Sequence, residues 1–467
     1  MRTEVLRLGD CLVSFQGRPW YSLELVALQG PVGKRYTLQV EVGMDRFIIE
    51  GGRPLRGEAA VRPAKNALLP CMAAALLTDQ KVQFKDSAKL VDITSMAALL
   101  RHLGVEVEGR PGGPIALRAA SLVEPEAPYE LVRKMRASIV VLGPLLARFG
   151  RARVSLPGGC AIGARPVDQH LKALEAMGAE VRVEHGYVEA RTEGLKGADV
   201  MFDTVTVGGT QNALMAAVLA RGQTVLRNCA REPEIADLAD LLNKMGARIE
   251  GMGTDTLRID GVPSLSGAEH ACIPDRIEAG TLLLAGCVTG GDVAVAPVVP
   301  EHLDALLAKL RAMGAEVEVG ENRIRASCPE GLGSADVVTA PFPGFPTDLQ
   351  AQFMALLTLA RGTGTVKETI FENRFMHVPE LLRMGADIRI EGNVAVVAGG
   401  KPISGAPVMA SDLRASACLV LAGLRAEGTT EVRRIYHLDR GYERLEKRLS
   451  ALGASVRREK ESERGAG

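Results

Sequence analysis

Charged side chains stand at the first turns of several helices that are otherwise predicted to be apolar throughout. The clearest cases are Lys65, Arg136, Asp348, Asp412 and Arg414. A charge inside a helical core is costly unless it is paired, and a helix N-terminus presents unbonded N–H groups and a partial positive charge that attract anions. If several of these helix starts face one cleft, its lysine and arginines form a site for phosphate or carboxylate groups. The alternative is a set of salt bridges at helix ends.

The segment SLPGGCAIGARPVDQH, residues 155–170, predicts a loop that carries a reactive thiol. Its prolines and glycines disfavour both helix and strand. Cys160 is flanked by small residues and lies close in sequence to Arg165, a setting that lowers the pKa of a thiol from its free value of about 8.5. Cysteine, arginine and loop together predict a mobile lid that closes over an anionic substrate. The alternative is an incidental loop cysteine.

Two of the acids at helix starts have two interpretations each. In PFPGFPTDLQAQF, Thr347 and Gln350 fit a capping box, which places Asp348 in the first turn of the next helix. There it is either a general base at a cleft or an acid that stabilises the helix dipole. Asp412, in ASDLRAS, has the same alternatives.

Two arginines lie in polar turns beside hydrophobic elements. They are Arg374 in FENRFMH and Arg440 in DRGYERLE, and taken alone these runs are typical of solvated turns.

A repeat of about 70 residues sets the elements that must position these side chains. An amphipathic stretch ending in Leu or Met, Gly and a small residue precedes a β-rich run at six glycines, whose spacings are 74, 68, 68, 71 and 68 residues. The glycines are Gly104, Gly178, Gly246, Gly314, Gly385 and Gly453. Such a period indicates one supersecondary unit copied six times.

Each unit also holds a helix that is apolar on all sides and must therefore be surrounded by protein. These helices are predicted to begin near Lys65, Met135, Thr210, Ile277, Thr347 and Ser411. The stretches before the repeated glycines, such as HLDALLAKLRAMG, are apolar on one side only and should lie outside. We therefore expect two cores with buried helices, three units in each.

Composition narrows the classes of function. The 56 basic and 56 acidic residues give no overall field for nucleic acid or an acidic membrane. No apolar run reaches the length of a membrane span. The eight cysteines lack CxxC spacing and the seven histidines lack metal-ligand spacing, which predicts reduced thiols in the cytoplasm, mostly used for packing, and no metal site.

The first 43 residues stand outside the repeat and contain Trp20, the only tryptophan. Two interpretations remain: an appended pair of strands, or sequence upstream of a true start at Met44. We favour the second.

Nine segments in order resemble the UDP-N-acetylglucosamine 1-carboxyvinyltransferases, a family of enolpyruvyl transferases. They are PAKNALLP, MRASI, LPGGCAIGARPVD, REPEI, PDRIEAGT, PTDLQAQF, FENRFMHVPEL, SDLRAS and YHLDRGYERLE, within a match from about Met44 to about Arg458. The resemblance implies transfer of the enolpyruvyl group of phosphoenolpyruvate to the 3′-hydroxyl of UDP-N-acetylglucosamine with release of phosphate. This reaction opens peptidoglycan synthesis and uses no metal or organic cofactor.

The fold implied by the resemblance is a pair of inside-out α/β barrels with three repeated units each. We expect the first barrel to span 65–272, with the catalytic loop 155–166, and the second to combine 44–64 with 273–467. Residues 1–43 are then an extension.

The resemblance also implies roles for individual residues. Cys160 matches the proton donor to the methylene carbon, and Asp348 matches the base that takes the hydroxyl proton. Lys65, with Arg440, completes the implied catalytic set. Residues implied to contact a substrate are Lys65, Asn66, Arg136, Arg165, Pro166, Val167, Asp168, Gln169, Thr204, Val205, Thr206, Val207, Glu232, Asp348, Ile370, Phe371, Arg374 and Arg440.

Departures from the family pattern occur at the rim of the implied sugar site. Val91 and Thr204 stand where related sequences often have basic residues, and Pro63 replaces a common glycine. We therefore expect a less basic rim at these positions.

Three alternative functions can be distinguished from this one by features of the sequence. 5-Enolpyruvylshikimate-3-phosphate synthase shares the fold and the reaction, but we do not expect the PGGC loop there. A six-module DNA clamp needs a basic inner face, whereas here the cations sit at helix starts and in a glycine loop. A catalytically silent paralogue is disfavoured by the presence of Cys160 and Asp348.

Overall fold

The computed structural model of the chain describes residues 45–460 apart from 122, 134, 157–166 and 329–330, together with the backbone of four short N-terminal strands. Those strands form one antiparallel sheet in the order β1-β2-β3-β4. They are β1 (Glu4–Leu8), β2 (Cys11–Phe15), β3 (Leu23–Ala27) and β4 (Thr37–Val40). The segment before Met44 therefore has four strands, whereas the first interpretation of it expected two.

Twenty-four further strands alternate with the helices through the rest of the described chain. They are β5 (Asp45–Glu50), β6 (Arg56–Ala60), β7 (Val82–Phe84), β8 (Glu106–Gly109), β9 (Ile115–Arg118), β10 (Glu126–Ala127), β11 (Arg151–Ser155), β12 (Glu180–Glu184), β13 (Tyr187–Arg191), β14 (Asp199–Met201), β15 (Gln223–Arg227), β16 (Arg248–Glu250), β17 (Thr256–Asp260), β18 (Glu269–His270), β19 (Asp292–Ala296), β20 (Glu316–Val319), β21 (Ile324–Ser327), β22 (Val337–Val338), β23 (Thr363–Lys367), β24 (Asp387–Glu391), β25 (Val394–Ala398), β26 (Pro407–Met409), β27 (Thr429–Arg433) and β28 (Ser455–Lys460).

Thirteen α-helices and four short 3₁₀ segments lie between these strands in the described part of the chain. They are α1 (Lys65–Ala74), α2 (Val91–His102), α3 (Tyr129–Val132), α4 (Leu142–Phe149), α5 (Asp168–Ala176), α6 (Val207–Ala217), α7 (Pro233–Lys244), α8 (Arg276–Val288), α9 (Asp304–Ala312), α10 (Thr347–Leu359), α11 (Val378–Arg383), α12 (Leu413–Arg425) and α13 (Leu445–Ala451). The 3₁₀ segments are Ala75–Leu77, Arg136–Val141, Pro300–Leu303 and Ile435–Arg440.

The same sheet is built six times from these strands. In each, a parallel pair is extended by two antiparallel strands, as in β10-β11-β13-β12 and β22-β23-β25-β24. The other sheets are β14-β15-β17-β16, β18-β7-β9-β8, β6-β19-β21-β20 and β26-β27-β5-β28. Six copies of one βαβαββ-like unit are what the 70-residue period predicted.

Two separate hydrophobic cores lie at the centres of these units. One contains residues between Leu68 and Leu265, and the other contains residues between Phe47 and Val61 and between Ile277 and Val456. In the second core α8, α10 and α12 pack against one another with nearly all their residues buried. The predicted fold class, two inside-out α/β barrels with buried central helices, is confirmed. The predicted bounds of the barrels at 64/65 and 272/273 stay a prediction.

All six repeated glycines adopt positive φ at the ends of the outer helices, with values from 87° at Gly178 to 104° at Gly453. In this left-handed region a residue with a Cβ is strained, so glycine both ends the helix and turns the chain into the next strand.

Two expected helix starts differ clearly from the structure. The helix predicted near Met135 opens as the 3₁₀ segment Arg136–Val141, and regular α4 starts only at Leu142. Pro144 explains this, because a proline is tolerated in the first turn of a helix but not further inside it. Helix α6 starts at Val207 rather than Thr210, because Thr206 accepts a hydrogen bond from the backbone N–H of Gly209 at 3.2 Å and caps it.

The capping box predicted at α10 was wrong. The N-cap is Pro346, which has no side-chain cap, and Thr347 is the first helical residue. The Thr347 hydroxyl instead donates to Glu368 Oε2 at 2.8 Å, and the amide of Gln350 is buried without a hydrogen bond. A tertiary acceptor therefore outcompetes the local cap.

Asp412 caps α12, as the helix-stabilising interpretation predicted. Its Oδ1 accepts hydrogen bonds from the backbone N–H groups of Arg414 at 2.8 Å and Ala415 at 3.1 Å. We expect Asp412→Ala to lower the free energy of unfolding by about 1 kcal/mol, measured by urea denaturation. Ser411→Ala is the matched control, because Ser411 bonds to the cap and not to the helix. Equal stabilities of the two variants would contradict a capping role.

Candidate active site

The carboxylate of Asp348 lies between two buried arginines at the start of α10. Arg374 Nη2 donates to Asp348 Oδ1 at 2.9 Å, and Arg414 Nη2 donates to Asp348 Oδ2 at 2.7 Å. The arginine side chains are 4% and 7% exposed, whereas that of Asp348 is 27% exposed. Two adjacent cations favour the ionised carboxylate. Asp348 therefore presents a negative charge to solvent from a fixed position.

A polar network inside the second core holds Arg414. Its Nη1 donates to the hydroxyl oxygen of Tyr442 at 3.1 Å, and that hydroxyl also contacts Thr281 Oγ1 at 2.9 Å. Gln352 Nε2 donates to the same hydroxyl at 3.1 Å and to the carbonyl oxygen of Asp348 at 2.9 Å. Burial lowers the pKa of Arg414, but Asp348, Tyr442 and Asp275 together outweigh burial, and the net pKa is raised. The guanidinium thus stays charged although it is buried.

A second charged cluster joins the two halves of the molecule. Asp92, near the start of α2, accepts hydrogen bonds from Lys65 Nζ and Arg440 Nε, both at 3.0 Å. The side chain of Asp92 is 4% exposed and that of Lys65 is 10% exposed. Burial raises the pKa of Asp92, but the charges of Lys65 and Arg440 outweigh it, and the net pKa is lowered. The three groups therefore form one charged unit with a net positive charge, in which Asp92 and Lys65 are buried and the Arg440 side chain is 37% exposed.

The two clusters are connected through the 3₁₀ segment Ile435–Arg440. Arg440 closes that segment and contacts Asp92, while Tyr442, two residues later, contacts Arg414 beside Asp348. One short stretch of chain thus positions a cation at one cluster and a hydroxyl at the other.

Further predicted residues line the first core at the starts of α5 and α6. Gln169 and Asp203 form two hydrogen bonds. Gln169 Nε2 donates to Asp203 Oδ2 at 3.1 Å, and the backbone N–H of Asp203 donates to Gln169 Oε1 at 2.9 Å. Arg136 is the first residue of its 3₁₀ segment and lies near His170. Burial, and secondly the charge of Arg136, lower the pKa of His170 to about 4. Val167 precedes α5, Asp168 begins it, and residues 204–207 lead into α6 with Thr204 and Val205 exposed.

Three predicted residues lie on loops that meet the second core. Glu232 occupies the N-cap position of α7, without a side-chain hydrogen bond to the helix. Its Oε1 accepts a hydrogen bond from the backbone N–H of Phe342 at 3.3 Å, and burial raises its pKa. The backbone N–H groups of Ile370 and Phe371 donate to Glu368 Oε1 at 2.8 and 3.3 Å. These hydrogen bonds fix the loop from which Arg374 reaches Asp348.

Not all predicted residues can be placed. Cys160, Arg165 and Pro166, with most of the loop predicted at 155–166, lie outside the described residues. Asn66 is exposed at the start of α1, beside buried Lys65.

Sequence reasoning missed some members of both clusters. Asp92 was not singled out, although it directly follows Val91, which was. Tyr442 was also missed. From its local sequence alone, Arg374 was predicted to lie in a solvated turn, but the residue is only 5% exposed. That correction has a physical cause: the acid that pairs with Arg374 lies 26 residues earlier, so the local run gave no sign of burial.

The arrangement suits acid–base chemistry on an anionic substrate. Asp348 is a carboxylate that can accept a proton, and Lys65, Arg440 and Arg136 supply cations for phosphate or carboxylate oxygens.

Comparisons of the whole sequence with known proteins identify one family. The family model for EPSP synthase (3-phosphoshikimate 1-carboxyvinyltransferase) matches residues 49–449. The UDP-N-acetylglucosamine 1-carboxyvinyltransferase of Myxococcus xanthus is 57% identical over 89% of this chain and 100% of its own length. That of Anaeromyxobacter dehalogenans is 60% identical over 89% of this chain and 99% of its own length.

Solved structures show the same fold. The enolpyruvyl transferase NikO from Streptomyces tendae superposes with a TM-score of 0.82 at 26% identity, over 90% of this chain and 100% of its own. EPSP synthase from Acinetobacter baumannii superposes with a TM-score of 0.69 at 18% identity, over 89% of this chain and 100% of its own. 5-Enolpyruvylshikimate-3-phosphate synthase, the first alternative considered from the sequence, is thus a distant relative of this chain. The family match rules out the second alternative, a DNA clamp. The chain is a transferase that belongs to the enolpyruvyl transferase family, and within it to the UDP-N-acetylglucosamine 1-carboxyvinyltransferases.

Proposed function

We propose that this protein transfers the enolpyruvyl group of phosphoenolpyruvate to the 3′-hydroxyl of UDP-N-acetylglucosamine and releases phosphate. The observation that carries the proposal is the Asp348 carboxylate, partly open to solvent while two buried arginines fix both of its oxygens. A hydroxyl that attacks a carbon centre needs such a base at a defined position. Family membership supports the choice of both substrates.

In the addition step, Asp348 takes the proton of the attacking hydroxyl as its oxygen bonds to C2 of phosphoenolpyruvate. The electron pair of the double bond takes a proton from an acid, for which we propose Cys160. The product is a tetrahedral phospho-ketal. In the elimination step the bond from C2 to the phosphate oxygen breaks and phosphate leaves with its electron pair. The new methyl group gives a proton back to the thiolate of Cys160, and the electrons of that C–H bond form the double bond again.

Cations stabilise the charge that develops on the leaving phosphate. Lys65 and Arg440 share Asp92, so three groups with a net positive charge are already fixed before substrate arrives. We propose that Arg136 and Arg165 complete this set. Asn66, Val167, Asp168, Gln169, residues 204–207, Glu232, Ile370, Phe371 and Arg374 are proposed to border the nucleotide sugar.

Several finer assignments belong to the same proposal. They are a place at the first committed step of peptidoglycan synthesis, the cytoplasm as its location, and inhibition by fosfomycin. The six described cysteines are all free thiols, which supports a reducing compartment. No helix among residues 45–460, outside the gaps given above, is long and apolar enough to cross a membrane.

The decisive measurement is phosphate release from phosphoenolpyruvate with each acceptor in turn. We expect release with UDP-N-acetylglucosamine and none above background with shikimate 3-phosphate. Faster release with shikimate 3-phosphate would overturn the assignment.

A substitution separates the two jobs that a loop thiol could do. If Cys160 acts as an acid, Cys160→Asp should keep substantial turnover, with its optimum shifted to lower pH, because a carboxyl with pKa of about 4 is protonated only there. It should also resist fosfomycin, which alkylates a thiol. Cys160→Ser, matched in size to the parent, should be far slower because a hydroxyl is a weaker acid. If the Asp variant is as slow as the Ser variant, the nucleophilicity of the thiol is required and the acid role is wrong.

A further inference from the structure

Four potential metal ligands meet inside the first barrel, away from the charged clusters described above. They are Cys71 on α1, Asp237 on α7, His270 on β18 and Cys272 just after it. One ligand atom from each lies within 4.8 Å of the ligand atoms of all the others. Three of the four side chains are buried and Cys272 is partly exposed.

The imidazole of His270 turns its Nε2 toward Asp237 in this cluster, while its Nδ1 lies 3.3 Å from Lys244 Nζ. Its Nε2 is buried and unsatisfied, although it lies 3.2 Å from Asp237 Oδ1. The residue is 1% exposed. The other oxygen of Asp237 lies 3.9 Å from Cys71 Sγ. A buried ring nitrogen that has no well-aligned hydrogen bond and lies beside two thiols and a carboxylate is a group that a metal ion would satisfy.

We propose that Cys71, Asp237, His270 and Cys272 together bind one zinc ion as a structural site. Zinc–sulfur and zinc–nitrogen bonds of about 2.3 and 2.0 Å in a tetrahedron place the ligand atoms about 3.3–3.8 Å apart. The ligand atoms of the cluster all lie within 4.8 Å of one another, so they would approach by at most about 1–1.5 Å on binding zinc. Four protein ligands leave no open position for a substrate, which is typical of structural zinc.

Outer groups are placed to orient the histidine. Nδ1 lies 3.3 Å from Lys244 Nζ and 3.7 Å from Asp240 Oδ2. When Nε2 binds zinc, Nδ1 carries the proton, and Asp240 rather than Lys244 then becomes its partner, because only the carboxylate can accept. Lys244 Nζ holds that carboxylate at 2.6 Å. A carboxylate behind a ligating histidine fixes the ring and raises its basicity, as in many zinc sites.

Without metal, the cluster carries protons that zinc would replace. Burial raises the pKa of Cys71. A hydrogen bond from Cys71 lowers the pKa of the Cys272 thiol. Burial lowers the pKa of His270, but Asp237 and Cys272 outweigh it and raise the pKa to about 9. Zinc binding therefore releases protons from the thiols and the imidazolium.

The position of the site suggests what zinc would do. The ligands come from two helices and a strand end that are far apart in sequence, and α1 also carries Lys65 at its start. A zinc ion would tie α1 to α7 and to the β18 edge, so it should stabilise the first barrel.

The test uses the full chain with Cys160→Ser, which removes the predicted loop thiol as a competing ligand. After treatment with chelator and reductant, the protein is titrated with Co²⁺ and then with Zn²⁺. We expect one equivalent of Co²⁺ with the thiolate charge-transfer and tetrahedral ligand-field bands, displacement by Zn²⁺, and a rise in Tm of about 5 °C.

Variants decide whether these four side chains are the ligands. Cys272→Ser, and separately Asp237→Asn, should weaken binding by more than the ~10–100-fold typical of changes outside the ligand set. The matched control is Cys287→Ser, which changes another buried thiol that contacts a second cysteine, Cys328, in the other core. The proposal is overturned if Co²⁺ gives no thiolate band, if Cys272→Ser and Cys287→Ser bind alike, or if the protein is isolated without metal and with a Cys71–Cys272 disulfide.

Discussion

Asp348→Asn should lower kcat by about 10³-fold, because an amide cannot take the proton of the attacking hydroxyl. The amide keeps the shape of the side chain and one acceptor oxygen, so the start of α10 should remain intact. The variant also leaves Arg374 and Arg414 with less negative charge between them, since both arginines face this carboxylate at 2.9 and 2.7 Å. We therefore expect a loss of about 2 kcal/mol in unfolding free energy.

Steady-state kinetics and urea denaturation measure the two effects separately. Asp348→Asn with Arg374→Met tests stability alone, because removing one arginine should recover part of the lost stability without recovering turnover. Asp412→Asn is the matched control, an acid at another helix start that contacts no arginine side chain in its described hydrogen bonds. If Asp348→Asn keeps turnover within about threefold of the parent, below the range for general-base catalysis, Asp348 is only a partner for the arginines.

The architecture was predictable because its causes are local and repeated. A glycine at positive φ ends each outer helix, and that requirement leaves the same residue at the same spacing in six units. Helices without a polar face must be buried, which predicted the two cores. The start of α4 was less predictable, because Pro144 confines the regular helix to the residues from Leu142 on. The start of α10 at Thr347 was predicted, but its capping box was not found, because Thr347 bonds to Glu368 instead.

The charged clusters were only partly predictable, since their members come from distant segments. Arg440 lies 348 residues after Asp92, and Arg414 lies 66 residues after Asp348. Resemblance to a family named Lys65, Asp348 and Arg440, but no spacing rule points to Asp92.

The proposed zinc ligands show the same limit of sequence patterns. Cys71 and His270 are separated by most of the first barrel, so a search for metal spacing finds only the short pair His270 and Cys272. The sequence prediction of no metal site rested on that spacing.

Asp92→Asn should reduce kcat/KM for phosphoenolpyruvate by about 100-fold, because it releases two cations from their fixed positions. Asp92 accepts from both Lys65 and Arg440 at 3.0 Å. An amide can accept a bond from only one of them and brings no negative charge. We expect most of the loss in KM for phosphoenolpyruvate, and a smaller change in KM for the nucleotide sugar.

Stability should fall in the same variant, which requires a control for misfolding. Removing one partner from a buried ion pair costs about 3 kcal/mol, since the remaining charge is left unpaired. Lys65→Met combined with Asp92→Asn removes the buried cation too, so it should regain stability without regaining activity. Asp92→Glu keeps the charge and should retain more activity than Asp92→Asn.

The pH dependence gives an independent check on Asp92. Its pKa is lowered in the folded protein by Lys65 and Arg440, despite burial. A lowered pKa means that the contribution of Asp92 to stability is complete above the unfolded value of about 3.9 and is lost as pH falls through the folded value. The parent and Asp92→Asn should therefore differ most in unfolding free energy at neutral pH, and the difference should shrink below about pH 4. A constant difference down to pH 2 would show that the carboxylate is not the source of the stabilisation, and Asp92 would then position neither cation.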